Sequence, residues 1–316
     1  MAAPTGGITT GHLVQILFLG AVWGGAFLFL RVAGPEVGAV WAAEIRIAIG
    51  GLILALVAGR RTWAVARANL VGFAIVGATF SAIPFTLIAV ATLTLPAGFA
   101  AILNAATPLF TAALGVVWLR QSMTARLAAG LAVGLAAVLL LVGWSPLPAG
   151  LTTLVAVLAA LGAAMSYAVA GTYVRRRLPR IGGVELATAQ LVGGTILLLP
   201  LALLSGAPGT PSVDGIISLL AIGTISTALP WPIYQRLLSQ TTPTIASTVT
   251  FVVPAFAIAW GSIALGETIG PELILGFGLA IVSLVLVTGL RIPVRQPAFL
   301  PRMSVPRVPG YHASRG

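Results

Sequence analysis

Two ionisable side chains stand in a run that is otherwise apolar: Glu44 and Arg46, within AVWAAEIRIAIGGLILAL at residues 39–56. If the helix begins near residue 37, a rise of about 1.5 Å per residue puts both roughly 10–13 Å from its start. Charge at that depth in a bilayer is costly and faces a cavity or a partner. Two positions apart on a helix, the pair points to nearly opposite sides and cannot simply neutralise itself. Glu44 therefore has two courses. It can form a salt bridge with Arg31, whose long side chain can reach down from the outer end of the preceding helix. Otherwise it faces a cavity and binds a proton or a substrate ammonium. The depth favours the salt bridge. For Arg46 the choice is between packing against helix ends or carbonyls and a coupling role.

A second group is polar or aromatic without charge. Trp23 and Phe27 are one turn apart, beside Gly24 and Gly25, which allow close helix approach. Asn104 lies one turn before Pro108, and Thr250 stands four residues before Pro254. Pro84 and Pro230 sit inside apolar runs, and Trp231, Tyr234 and Gln235 follow the second of them. Together with Tyr167 these residues could line a cavity for a small polar or amphipathic molecule. Glu267 reads as an interfacial residue at an outer helix end.

Enzyme constellations are missing. The two histidines, His12 and His312, are near opposite ends, and Asp214 is the only aspartate. No HExxH helix, paired-aspartate site, GxSxG elbow or phosphate-binding GxxxxGK[ST] loop is present, and there is no cysteine. No metal or cofactor is expected. Without a nucleotide site, any active transport is secondary or driven by a partner.

The elements that must position these residues are membrane helices. Hydrophobic residues make up 59% of the 316, charged residues only 7%, and mean hydropathy is +1.08. A soluble domain carries about 25% charge. A span needs about 20 apolar residues, and ten runs qualify: 12–32, 37–59, 69–93, 96–119, 126–145, 151–174, 184–205, 214–238, 243–264 and 271–290. The first has no basic stretch before it and reads as a retained helix, not a signal peptide. All 17 basic residues are arginine. A cytoplasmic N-terminus puts all of them inside except Arg31 and Arg46, and puts Glu36, Asp214, Glu267 and Glu272 outside. Both termini are then cytoplasmic, in the plasma (inner) membrane. Arg175–Arg177 reads as a lipid-headgroup anchor, with no nucleic-acid partner. The segment 291–316, rich in Arg and Pro, reads as a disordered cytoplasmic tail.

The chain repeats itself. Gly77–Phe85, GATFSAIPF, returns as Gly223–Trp231, GTISTALPW, with Gly77, Ala82 and Pro84 matched 146 positions later. Pro108, Gly130 and Gly143 recur at the same offset as Pro254, Gly276 and Gly289, and Gln121 aligns with Glu267. At an offset of 144, Trp23 aligns with Tyr167, Arg31 with Arg175, Arg46 with Gln190, and Gly50 with Gly194. Five helices per half is an odd number, so the second half should be reversed in the membrane. The expected fold is all-α: ten transmembrane helices as two inverted repeats, residues 12–145 and 151–290.

The stretches AVWGGAFLFLR at Ala21–Arg31, RIAIGGLILAL at Arg46–Leu56 and PAFAIAWGSIALGETIGPELILGFGLAIVSLVLV at Pro254–Val287 carry a family resemblance. The chain resembles the drug/metabolite transporter superfamily in its ten-helix form with two EamA-type domains, over about residues 12–290. Two positions depart from the pattern: Arg120-Gln121 where a Gly-Glu pair is frequent, and Tyr167 where tryptophan is common. The resemblance implies a cavity between the halves, lined by the first, third, fourth, sixth, eighth and ninth helices. It also implies export of amino acids or related small metabolites. Alternating access would rock one half against the other, with Pro84, Pro108, Pro230 and Pro254 as bending points. Uptake, lipophilic-drug efflux and a membrane-embedded lipid-modifying enzyme are the alternatives. Oligomeric state is not legible.

Overall fold

A computed structural model describes residues 9–288 apart from 119, 121, 145, 146, 179, 232, 235, 236 and 238–248. The tail 291–316 and Gln121, Gln235 and Arg236 thus lie outside the described residues. Every regular element described is helical. Among the described residues, seven helices are long and apolar enough to cross a membrane: α1 (Thr10–Val37), α2 (Ala39–Val57), α4 (Leu70–Thr92), α5 (Ala97–Val117), α6 (Ala125–Gly143), α7 (Leu151–Arg177) and α8 (Gly183–Leu204). Three shorter apolar elements follow: α9 (Val213–Ala228), α10 (Val249–Leu265) and α11 (Pro271–Thr288). Between α2 and α4, where no element was expected, Arg60–Ala68 forms a short amphipathic helix, α3, with its arginines exposed.

Local chemistry sets several ends. Thr9 accepts from the backbone N–H of His12, and the His12 ring accepts in return from Thr9, so this histidine caps α1. Helix α1 runs past the expected end through Pro35 and stops where Gly38 adopts φ 83° and donates to the Gly34 carbonyl. Thr124 and Ser212 cap α6 and α9 in the same side-chain manner.

The two prolines of the repeated motif have a common local solution. Pro84 cannot donate to the Phe80 carbonyl, and its ring crowds that turn. The helix widens there into a π-helical turn, Ala78–Ala82, in which Ile83 donates to Ala78 five residues back. The same turn recurs at Thr224–Ala228, where Leu229 donates to Thr224 at 3.0 Å. The repeated glycines before these turns permit close approach: a Cβ on Gly77 would lie 2.6 Å from the Gly193 carbonyl carbon. One on Gly223 would lie 2.6 Å from the Ile49 Cβ.

The helices pair across the halves. Helix α1 packs on α10 and α5 on α7, α4 packs on α8 and α9 on α2, and α2 meets α8 while α6 meets α11. Exchanging the halves maps each pairing onto another member of this set or onto itself. The apolar core fills the space where α1, α2, α4, α5 and α7 converge.

Candidate functional site

The two π-helical turns lie where the halves meet, and each is tied to the opposite half. Ser166 on α7 donates to the Thr79 carbonyl at 2.8 Å, and Ser226 on α9 donates to the Val22 carbonyl at 2.8 Å. A side chain donating to a carbonyl of a neighbouring helix satisfies a group that water cannot reach in a bilayer.

Around each turn aromatic rings from both halves gather. Trp23 of α1 lies 5.5 Å from Tyr234, which is 6.2 Å from Trp231. On the other side Tyr167 of α7 lies 6.2 Å from Phe80 and 6.4 Å from Phe85. Tyr167 and Trp231 both pack against one buried apolar cluster that contains Phe85, Ala43 and Ile47. Trp23, Tyr167, Trp231 and Tyr234 are thus brought to one interface, with Pro84 and Pro230 buried in the helices that carry it.

Arg46 belongs to the same place. It is 6% exposed, its Nε donates to Thr227 Oγ1 at 2.9 Å, and its guanidinium carbon stands 3.7 Å from the centre of the Phe85 ring. The expected carbonyl packing is thus a hydroxyl and a cation–π contact. Gln190, its mate, is also buried, at 2% exposure.

Other expected residues lie elsewhere. Phe27 is buried in the main apolar core. Asn104 ends the first part of α5, which breaks at Ala105 and Ala106 and resumes at Thr107 with Pro108 in its first turn. The Asn104 side-chain oxygen is buried without a hydrogen-bond partner among the described residues. Thr250 and Pro254 sit in α10, which runs unbroken from Val249, so the break in α5 has no counterpart there.

The Arg31–Glu44 salt bridge is not formed. Arg31 bonds instead through Nε to Glu267 at 3.2 Å and through a terminal nitrogen to the Thr92 carbonyl at 3.0 Å. The reason lies in packing: α1 lies chiefly along α10, and α2 along α8, so sequence neighbours are not the main spatial neighbours. Glu44 is 3% exposed, and one of its oxygens has no partner among the described residues. Glu267 does more than mark an interface. Both its oxygens accept from the backbone N–H of Ala97, at 3.1 and 2.9 Å, so it caps α5 from the other half.

Two further cross-half ties lie at the same end. Glu36 accepts from the Ser212 backbone at 2.9 Å and from its hydroxyl at 2.7 Å, and Trp41 donates to the Gly206 carbonyl at 2.8 Å. The opposite end also has an ion pair across the halves. This pair, Arg61–Glu185, spans 3.6 Å with the Arg61 side chain 87% exposed. A cleft of about 580 Å³ opens there between Val117, Trp118, Arg120 and Arg176.

Phe85, Thr227 and Glu267 had not been singled out as site residues. For Phe85 and Thr227 the signal was in the repeated motif: Phe85 is the mate of Trp231, and Thr227 that of Ser81. Glu267 was legible only as an interfacial residue, because a cap across halves depends on tertiary placement.

Helices of this apolarity, paired across a duplication, define a multi-span membrane protein, and the comparisons give its family. The EamA-like transporter family model matches residues 11–143 and 154–289, so the chain belongs to that family and is a membrane transporter. The chain is 28% identical over 288 residues to "Uncharacterized transporter YvbV" of Bacillus subtilis, covering 88% of this chain and 92% of that one. It is 28% identical over 284 residues to a "Probable terminal-alkyne amino-acid exporter" of Streptantibioticus cattleyicolor, covering 88% and 94%. It is 26% identical over 275 residues to "Uncharacterized inner membrane transporter YedA" of Escherichia coli, covering 84% and 87%. A crystal structure of a protein 14% identical matches with a TM-score of 0.61 over 89% of this chain and 97% of its own; that likeness concerns the fold alone.

Proposed function

We propose that this transporter exports amino acids or closely related small metabolites by alternating access, with both termini cytoplasmic. The substrate sits between the halves, against Trp23, Tyr167, Trp231 and Tyr234. The π-helical turns at Ala78–Ala82 and Thr224–Ala228 let α4 and α9 bend around it. The observation that carries this reading is the pair of equivalent turns, each bonded to the opposite half beside rings from both. The amino-acid assignment draws support from the printed name of the Streptantibioticus relative.

In this reading the end bearing Glu36 and Glu267 is the extracellular one. Its cross-half ties shut the outer path, while the cleft near Arg120 and Arg176 is the cytoplasmic mouth. Arginine-rich ends on the cytoplasmic side agree with the bias of positive charge in membrane proteins. Counterflow in proteoliposomes, with a panel of labelled amino acids, amines and lipophilic cations, tests the substrate assignment. Exchange of amino acids is the expected result; exchange of lipophilic cations alone would replace this reading with drug efflux. Cysteines at Ala149 and Arg180 report orientation, since the chain has no native cysteine. An impermeant thiol reagent added to intact cells should label the first and spare the second, and the reverse pattern would invert the topology.

A further inference from the structure

We infer that Arg46 is the anchor for a carboxylate on the substrate, so that an organic acid group with an apolar or aromatic body is what the site selects. This inference rests on the transport reading above and adds the group that does the recognising. The geometry begins with what the guanidinium already uses. Its face lies over the Phe85 ring and its Nε is occupied by Thr227. A guanidinium has five N–H donors, so four remain, on the two terminal nitrogens. Those nitrogens have no hydrogen-bond partner among the described residues. The residue keeps 6% of its surface accessible. What is left is an end-on fork, the shape that receives both oxygens of a carboxylate.

Charge points the same way. No carboxylate of the described residues lies within 4.0 Å of Arg46; the ion pairs are Arg31–Glu267 and Arg61–Glu185. Glu44, two residues away, points to nearly the opposite side of α2. A buried guanidinium without a counter-ion is unfavourable, and an incoming carboxylate removes that penalty. The duplication breaks at this point, because the mate of Arg46 is the neutral Gln190. Among the described residues, the part of the interface around Phe85 and Thr227 therefore holds one cation and suits one anionic group. Phe85, Tyr167 and Trp231 pack around the same cluster and would meet the body attached to that acid.

The test uses the full-length protein in nanodiscs and two probes of nearly equal shape, 3-phenylpropionate and 3-phenylpropionamide, with binding read by tryptophan fluorescence. The acid should bind at least about tenfold more tightly than the amide, because a site built to bond a polar group rejects an analogue that cannot complete the bonds. Arg46→Gln should shrink that ratio to less than about twofold while leaving amide affinity nearly unchanged. A structural arginine would instead weaken both probes alike. No preference in the wild-type protein, or the same preference in folded Arg46→Gln protein, would overturn the inference.

Should Arg46→Gln fail to fold, the wild-type protein still decides. Modification of Arg46 by phenylglyoxal, followed by peptide mass spectrometry, should be slowed by the acid and not by the amide. Equal rates with both probes, or no modification of Arg46, would count against it. Failure of the transport reading looks different: a protein that binds the acid selectively but moves no labelled metabolite in proteoliposomes would sink transport and leave the anchor standing.

Discussion

At the scale of single residues, Glu267 joins two partners across the halves. It holds the Arg31 side chain and both its oxygens meet the N–H of Ala97, with 13% of its side chain exposed. Glu267→Gln keeps one acceptor for the cap but loses the charge that Arg31 and the helix end both favour. Thermal unfolding of that variant should show a loss of about 1–2 kcal/mol, in the range of a lost cap. An unchanged midpoint would mean the clasp contributes nothing. Arg120 gives a prediction of opposite sign. It has φ 54°, in the left-handed region, and its mate Gly266 has φ 66°. A side chain there costs about 1 kcal/mol, so Arg120→Gly should raise the unfolding midpoint; a lower midpoint would show that Arg120 makes an offsetting contact. This scale was the least legible in the sequence. Arg31, Glu44 and Arg46 were visible as charges, but the partners of Arg31 and Arg46 were set by which helices pack together. The favoured Arg31–Glu44 bridge failed because it took chain neighbours for spatial ones.

At the scale of elements, the repeated motif predicted a kink at each proline, and the structure has a π-helical turn before each one. The prolines were legible because a missing donor inside an apolar run has few explanations. The break in α5 at Ala105 and Ala106 falls just before Pro108, one of the four prolines expected to bend, while its mate Pro254 leaves α10 unbroken. Replacing Pro84 or Pro230 with alanine restores a donor and should straighten the turn. Initial transport rates should fall severalfold with expression little changed, and full rates in both variants would deny the turns a role in motion. Gly77 tests packing instead. Its Cβ position meets the Gly193 backbone, which cannot move aside as a flexible side chain could. Gly77→Val should therefore cost about 1–3 kcal/mol or more, seen as lost folded protein on size-exclusion chromatography. Normal yield and stability would contradict so close an approach of α4 and α8.

At the scale of the whole molecule, membrane residence, helical class and duplication were all written in composition and spacing. The pairing of helices across the halves was not, because each helix is apolar on most sides and its sequence carries little sign of which face meets which neighbour. That pairing gathers aromatic rings of both halves around the two π-helical turns, with three cross-half ties at one end and a cleft at the other. Alternating access requires the site to be reached from either side in turn. The most direct measurement puts a single cysteine at Tyr234 in the cysteine-free chain and follows its reaction with an impermeant thiol reagent applied to either face of the membrane. With Glu267 intact, labelling should proceed from the cytoplasmic face, and Glu267→Gln should increase labelling from the extracellular face severalfold. Labelling from one face only, at a rate that the clasp does not alter, would contradict the account.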